Sequence, residues 1–254
     1  MKKLIAILLA LVMVLAMAAC TAATEAPKKE EEKQAATEPE VTYTVEEINA
    51  KSEGVMTWEE YMAAEIEAEV VVECYVQGHQ SWWDNKVTVY AEDATGGYFM
   101  YELACSEEDA EKLVPGAKIR VSGYKAEWSG EIEIIDATFE FVETDVKYVA
   151  KAQDVTALLG TEELVAKQNM FVAFNGVTIK EITYKNDEPG DDIYVTVTYE
   201  EADYSFCVER YLTDPETEVY KAFAELQVGD IVNIEGFAYW YEGINTHITS
   251  VAAA

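Results

Sequence analysis

Pro115-Gly116-Ala117-Lys118-Ile119-Arg120-Val121-Ser122-Gly123-Tyr124 and, 113 residues later, Val228-Gly229-Asp230-Ile231-Val232-Asn233-Ile234-Glu235-Gly236-Phe237 follow one pattern. Glycines fall seven apart in both copies, and a third glycine, Gly130 or Gly243, follows after another seven residues. Each third glycine is preceded by an aromatic-bearing turn, with Trp128 in the first copy and Trp240 in the second. Self-similarity at a fixed spacing predicts one structural module used twice.

Working outward from the repeat, the same order of elements appears upstream of each copy. Alternating or β-rich runs predict strands at 69–76, 86–91 and 97–103, the last entered by the turn Asp93-Ala94-Thr95-Gly96. Ser106-Glu107-Glu108-Asp109 starts a helix, since the hydroxyl caps a free N–H and acids favour a helix N-terminus. Strands at 117–125 and 131–142 close the module. In the second copy, strands are expected at 171–184, 193–199 and 204–209. A helix capped by Asp214 with Pro215 in its first turn follows, then strands at 231–239 and 244–251.

Three strands, a helix and two strands is the element order of the five-stranded OB barrel. The resemblance is carried by Asp93-Ala94-Thr95-Gly96-Gly97 and by Gly116…Gly123 before the closing hairpin, which look like OB-type domains of bacterial exported proteins. The fold class expected is mostly β: two tandem five-stranded OB-like barrels, each with a helix between strands 3 and 4, joined by short helices. Module boundaries are expected at 43–147 and 148–254. Thr44-Val45-Glu46-Glu47 and Thr57-Trp58-Glu59-Glu60 are capping boxes, and 161–167 reads as a linking helix in a short connection whose Leu158, Leu159 and Leu164 pack on a barrel.

The first 42 residues are of another kind. Met1-Lys2-Lys3, an apolar run from Leu4 to Met17 and Ala18-Ala19 before Cys20 form an export signal over 1–19. Leu15-Ala16-Met17-Ala18-Ala19-Cys20 resembles the bacterial lipoprotein signal, with Met17 where that family usually has leucine. The resemblance implies cleavage before Cys20, a diacylglyceryl group on its thiol, and a mature protein held on the outer face of the cell membrane. Two acyl chains suffice for stable anchoring. Residues 20–42, rich in Ala, Thr, Glu and Lys, are too polar to bury and read as a disordered tether. Tyr75-Val76-Gln77-Gly78-His79-Gln80-Ser81-Trp82-Trp83-Asp84-Asn85-Lys86 is similar to a stretch in uncharacterised lipoproteins of clostridial-type bacteria, a resemblance that implies no activity.

Charge narrows the partners. The chain carries a formal −31, and removal of Lys2 and Lys3 with the signal takes it to −33. Such a surface repels phosphate backbones and anionic headgroups, which makes nucleic acid an unfavourable partner. An exported chain permits a disulfide, and Cys74 with Cys105 is the pair that shares a module; buried free thiols are the alternative.

In OB barrels the loop between strands 1 and 2 and the loop between strands 4 and 5 border the ligand face. Trp82 and Trp83 lie on the first of these and Trp128 on the second, an arrangement that predicts an aromatic platform for a sugar ring, a base or an apolar side chain. Trp82 and Trp83 are adjacent, so one of them is expected to face out. Tyr239, Trp240 and Tyr241 occupy the corresponding hairpin of the second module. His79, Ser81 and Asp84 share one loop, whereas a nucleophile and its base need positioning by separate elements, so no catalysis is expected. No cofactor or metal is expected either: Asn186-Asp187-Glu188-Pro189-Gly190-Asp191-Asp192 lacks the regular calcium-loop spacing and reads as a hairpin turn. The expectation is a non-catalytic binding or adaptor module for a glycan, peptide or envelope protein. The alternatives are an oligonucleotide-binding OB protein and a structural spacer.

Overall fold

In the computed structural model, residues 42–254 are described. The signal 1–19, Cys20 and the tether, apart from Thr42, lie outside them. Residues 42–254 form one unit, so the two modules are parts of a single body.

The first module is a closed barrel of five strands in the order β1-β2-β3-β5-β4. Its strands are β1 (Glu69–His79), β2 (Lys86–Glu92), β3 (Gly97–Ala104), β4 (Lys118–Trp128) and β5 (Glu131–Phe141). β1 closes the ring by pairing antiparallel with β4, and β3 meets β5 in parallel at Met100 and Ile134. Two N-terminal helices, α1 (Val45–Ile48) and α2 (Trp58–Ala63), start at the two expected capping boxes. Helix α3 (Glu107–Ala110), capped by Ser106, lies between β3 and β4. The barrel is filled by Val72, Cys74, Val89, Met100, Leu113 and Ile119 among others.

The second module has β6 (Gln153–Asp154), β7 (Phe171–Tyr184), β8 (Ile193–Tyr199), β9 (Ala202–Val208), α4 (Glu218–Glu225), β10 (Ile231–Phe237) and β11 (His247–Ala253). Its strand order is β10-β11-β9-β8-β7-β6, with β10 also paired to β7. The expected linking helix is a 3-10 segment, Glu162–Lys167, and Leu159 and Leu164 are buried against this module's core.

The repeat glycines do the same work in both modules. Gly116 and Gly229 take φ of 85° and 98° at the turn before β4 and β10, a conformation glycine adopts without steric cost. Gly123 and Gly236 sit at bulges where the next strand crosses closely: a Cβ on Gly123 would lie 2.8 Å from that of Ala137, and one on Gly236 would overlap the His247 carbonyl.

Three expectations are corrected. The second-module helix begins at Glu218 with Thr217 as its cap; Asp214 instead organises the preceding turn, accepting from the Glu216 N–H. The closing strands end at Phe237 and resume at His247, because residues 238–246 turn toward the first module. The alternation of Glu131 and Glu133 with Ile132 and Ile134 predicts an outward strand face, yet both glutamates are buried. The reason is tertiary: the β4–β5 hairpin lies against the second module, where the Trp240 N–H donates to Glu131 Oε2 at 2.7 Å.

Aromatic rings and backbone pairing hold the modules together. Tyr90 stacks on Phe237 with ring centroids 4.4 Å apart, and Phe99 meets Tyr239 edge-on at 5.3 Å. The Phe171 N–H donates to Glu92, Gln168 Nε2 donates to the Gly130 carbonyl at 2.7 Å, and Asn169 Nδ2 donates to the Ile132 carbonyl at 3.0 Å. Gly97 lies against the backbone of Asn169 with no room for a Cβ. Gly97→Ala is therefore expected to push the modules apart while leaving both cores intact. Hydrogen exchange would show it as lost protection at Phe171 and Trp240 N–H with the interior strands unchanged; unchanged protection at both amides would contradict the contact.

Candidate ligand cleft between the modules

The outward side of β2 and β3 is the face OB folds use for ligands. Here Tyr90 of β2 and Phe99 of β3 are sealed under Phe171, Phe237 and Tyr239 of the second module. A buried polar pair completes the seal. Gln80 Nε2 donates to the Tyr90 hydroxyl at 3.2 Å, which leaves that hydroxyl's proton for His247 Nδ1, 2.5 Å away. Burial pushes His247 down to about 3, so it is a neutral acceptor there.

Beside the sealed face lies an open cleft of about 420 Å³, lined from the first module by the β1–β2 loop and neighbouring parts of β2 and β3, and from the second by Tyr211. Its loop is rigid for a local reason. Trp83 and Lys86 exchange both backbone hydrogen bonds, at 3.0 and 2.9 Å, around Asp84 and Asn85 with φ of 47° and 60°. Two consecutive left-handed residues make a type I′ turn, which matches strand twist and for which Asp and Asn are well suited. The Ser81 N–H and hydroxyl both donate to the Tyr211 carbonyl, at 2.6 and 3.2 Å, and pin this loop to the second module.

The structure separates the six aromatic candidates. Trp82 turns in: its ring packs on the barrel core and its Nε1–H donates to the Cys105 carbonyl at 2.9 Å, while its remaining half-buried surface lines the cleft. Trp83 turns out and is 79 % exposed on the cleft wall. Trp128 is 59 % exposed at the β4–β5 hairpin, apart from the residues lining the cleft. Tyr239 stacks on His247 at 4.2 Å and Trp240 packs on the second core, so both serve the module contact. Tyr241 is exposed next to Glu242, whose N–H donates to the Ser129 carbonyl.

Sequence reasoning missed Tyr101 and Tyr211. Tyr101 follows Phe99 on the same strand face, a signal readable from the period-two pattern. Tyr211 follows β9 and reaches the cleft only through the packing of the modules. The charges on the cleft are Lys86 and Glu102, paired at 2.6 Å.

Other groups singled out in the sequence have local partners. His79 Nδ1 lies 2.7 Å from the Gln80 carbonyl. In the acidic turn, Asp192 pairs with Lys185 at 2.9 Å and accepts from the Arg210 N–H. Cys74, Cys105 and Cys207 are free and buried. Burial pushes the Cys74 thiol up to about 12 and the Cys105 thiol to about 11, far from a reactive thiolate. Among the described residues, no group of three or more His, Cys, Asp or Glu is placed to hold a metal, and no helix is long and apolar enough to cross a membrane.

No protein-family model matches the chain, and no curated protein matches it. Among solved structures, it is similar to a murine DNA-binding protein bound with double-stranded DNA, at 12 % identity and TM-score 0.35, over 72 % of this chain and 99 % of that one. It is also similar to the p204 HINb domain, at 12 % identity and TM-score 0.34, over 75 % of this chain and 100 % of that one. A third is p202 HIN1 in complex with 12-mer double-stranded DNA, at 11 % identity and TM-score 0.34, over 84 % and 100 %. The barrel described above is defined by its own strand pairing.

Proposed function

We propose that this chain is a membrane-tethered, extracytoplasmic lipoprotein of the kind its clostridial-type resemblance implies. Its two tandem OB-like barrels act without catalysis as one ligand-binding module. The observation that carries the binding reading is a contrast between adjacent surfaces. The outward β2–β3 face is closed by the chain's own second module, while the cleft beside it keeps Trp83 exposed on a hairpin fixed to both modules. A large ring left in water on a rigid turn suits a surface that ligand covers.

Nucleic-acid binding, the alternative that the OB order of elements offers, is the competing reading; two of the similar structures hold double-stranded DNA. It requires a phosphate-binding surface on a chain of net charge −31. It also loses the stacking rings of the β2–β3 face, which the second module occupies. The binding reading is tested by titrating the full chain with oligosaccharides, short peptides and DNA, and repeating each titration with Trp83→Ala. A ligand lost on that substitution supports the cleft; DNA binding that survives it and weakens steeply with salt would replace the reading. The tether follows from the sequence around Cys20. In a bacterial host, the full chain is expected in the membrane fraction with a diacylglyceryl mass on Cys20, and Cys20→Ser is expected to lose that mass. An unmodified wild-type Cys20 would contradict the tether.

A further inference from the structure

We propose that the cleft takes a neutral saccharide, with one sugar ring lying flat on the exposed indole of Trp83 and its hydroxyls reaching Lys86 and Glu102. This rests on the reading of the cleft as the binding site and adds the class of ligand.

Charge selects the class first. Within a molecule of net charge −31, the lining residues carry one lysine and one glutamate, and these neutralise each other at 2.6 Å. An anionic ligand would find no uncommitted cation in the lining and would meet the repulsion of the whole surface. A cationic ligand would have to displace Lys86 from Glu102. A neutral ligand meets neither cost.

The shapes and donors of the lining select further. Trp83, Tyr101 and Tyr211 are exposed aromatic residues, at 79, 45 and 54 %. An aromatic face stacks on the C–H face of a sugar as it does on any flat apolar surface. A purely apolar ligand would be met by the wrong rim, since Gln80, Ser81 and Thr88 line the same cleft. The Lys86 ammonium has three donors and the Glu102 carboxylate two acceptor oxygens. After their mutual bond, the pair still offers a donor and an acceptor side by side, which is what two neighbouring hydroxyls require. Tyr211 comes from the second module and is held there by the Ser81 bonds to its carbonyl, so its ring joins the lining only while the modules are docked. The cleft's volume of about 420 Å³ lies in the range of small-ligand sites.

The test is calorimetric titration of the detergent-solubilised full chain with cellotetraose and chitotetraose as neutral probes, trigalacturonate as an anionic one, tetralysine as a cationic one, and oligothymidylate. Saturable binding of a neutral probe is expected, nearly independent of salt. Trp83→Ala is expected to weaken it by about tenfold or more, whereas Trp128→Ala, which removes an exposed indole outside the cleft, should leave it unchanged. Trp83 is a surface residue, so its loss leaves the fold intact, and matched circular dichroism checks this. Binding of tetralysine, trigalacturonate or oligothymidylate alone, lost on Trp83→Ala, would overturn the saccharide assignment while keeping the cleft as the site. Neutral-probe binding indifferent to Trp83, or no binding of any probe, would overturn both.

Discussion

Lys51→Met is expected to destabilise the folded unit by about 3–5 kcal/mol, the usual loss when one partner of a buried ion pair is removed. Lys51 Nζ lies 2.7 Å from Asp93 Oδ2 and donates to the Glu73 carbonyl at 2.5 Å; the Asp93 side chain is 1 % exposed and that of Lys51 9 %. Asp93 is the hub of the β2–β3 turn, taking bonds from the Thr95 N–H at 2.7 Å, the Gly96 N–H at 3.1 Å and the Tyr98 hydroxyl at 2.8 Å. Methionine would fill the space and leave the carboxylate without a counter-charge. A second buried pair, Lys118 with Glu73 at 3.1 Å, stands beside it, and Lys118 also donates to the Ala50 carbonyl. Together they fasten the segment at 49–52, which follows α1, to the barrel. Urea unfolding followed by intrinsic fluorescence measures the loss. A change below about 1 kcal/mol, the range of exposed pairs, would contradict the burial of this pair.

The second large effect is a fall in stability from pH 5 to pH 8. Burial pushes Glu92 and Glu131 up to about 8, against the bonds each accepts from Phe171 N–H and Trp240 N–H and with Asp93 or Glu133 adding repulsion. Both carboxyls lie on the contact between the modules. In the unfolded chain they titrate near the ordinary 4.5, so the folded state holds more protons between the two values. Their contribution is fully present below 4.5 and is lost as pH rises through about 8, at roughly 1.4 kcal/mol per pH unit for each carboxyl. His247 has the opposite sign: its neutral form is favoured in the fold, so its contribution is present above the ordinary 6.5 and is lost as pH falls toward 3. Between 4.5 and 6.5 two carboxyls outweigh one imidazole, so stability is expected to be highest near the lower end of that window. Thermal unfolding should show a Tm falling by roughly 10 °C or more from pH 5 to pH 8. Glu92→Gln with Glu131→Gln keeps an acceptor for each N–H and should flatten that slope. A Tm that rises over this interval, or an equal slope in the double variant, would contradict the buried carboxyls.

The parts legible in the sequence were those set by local chemistry. Seven-residue glycine spacing marked Gly116 with Gly123 and Gly229 with Gly236 because a left-handed turn and a close strand crossing each exclude a Cβ. The capping boxes at Thr44 and Thr57 were readable because the bonds they make span three residues. What the sequence hid was decided between modules. Glu131 and Glu133 alternate with apolar residues like any half-exposed strand, yet both are buried, Glu131 against the Trp240 N–H of the second module. Tyr239 and Trp240 resemble binding aromatics, yet they are spent on the module contact. Trp82 and Trp83 divide in and out as adjacent residues of an extended segment do. Tyr211, which the second module brings to the cleft, carries no local sign of its role. Asp84-Asn85, whose left-handed pair fixes the Trp83 hairpin, is by contrast a local signal that the sequence carries.

The central claim, that ligand enters the cleft at Trp83 and not the outward barrel face, is tested most directly by the indole N–H spectrum of the five tryptophans. The 15N-labelled full chain would be titrated with the neutral oligosaccharides, each resonance being assigned by substitution. The Trp83 indole is expected to shift saturably, while the indole of Trp58, which lies outside the cleft and is bonded to the Gly97 carbonyl, stays in place. A titration in which Trp83 remains fixed while Trp128 or Trp240 moves would contradict the claim and put the ligand on the hairpins or the module contact instead.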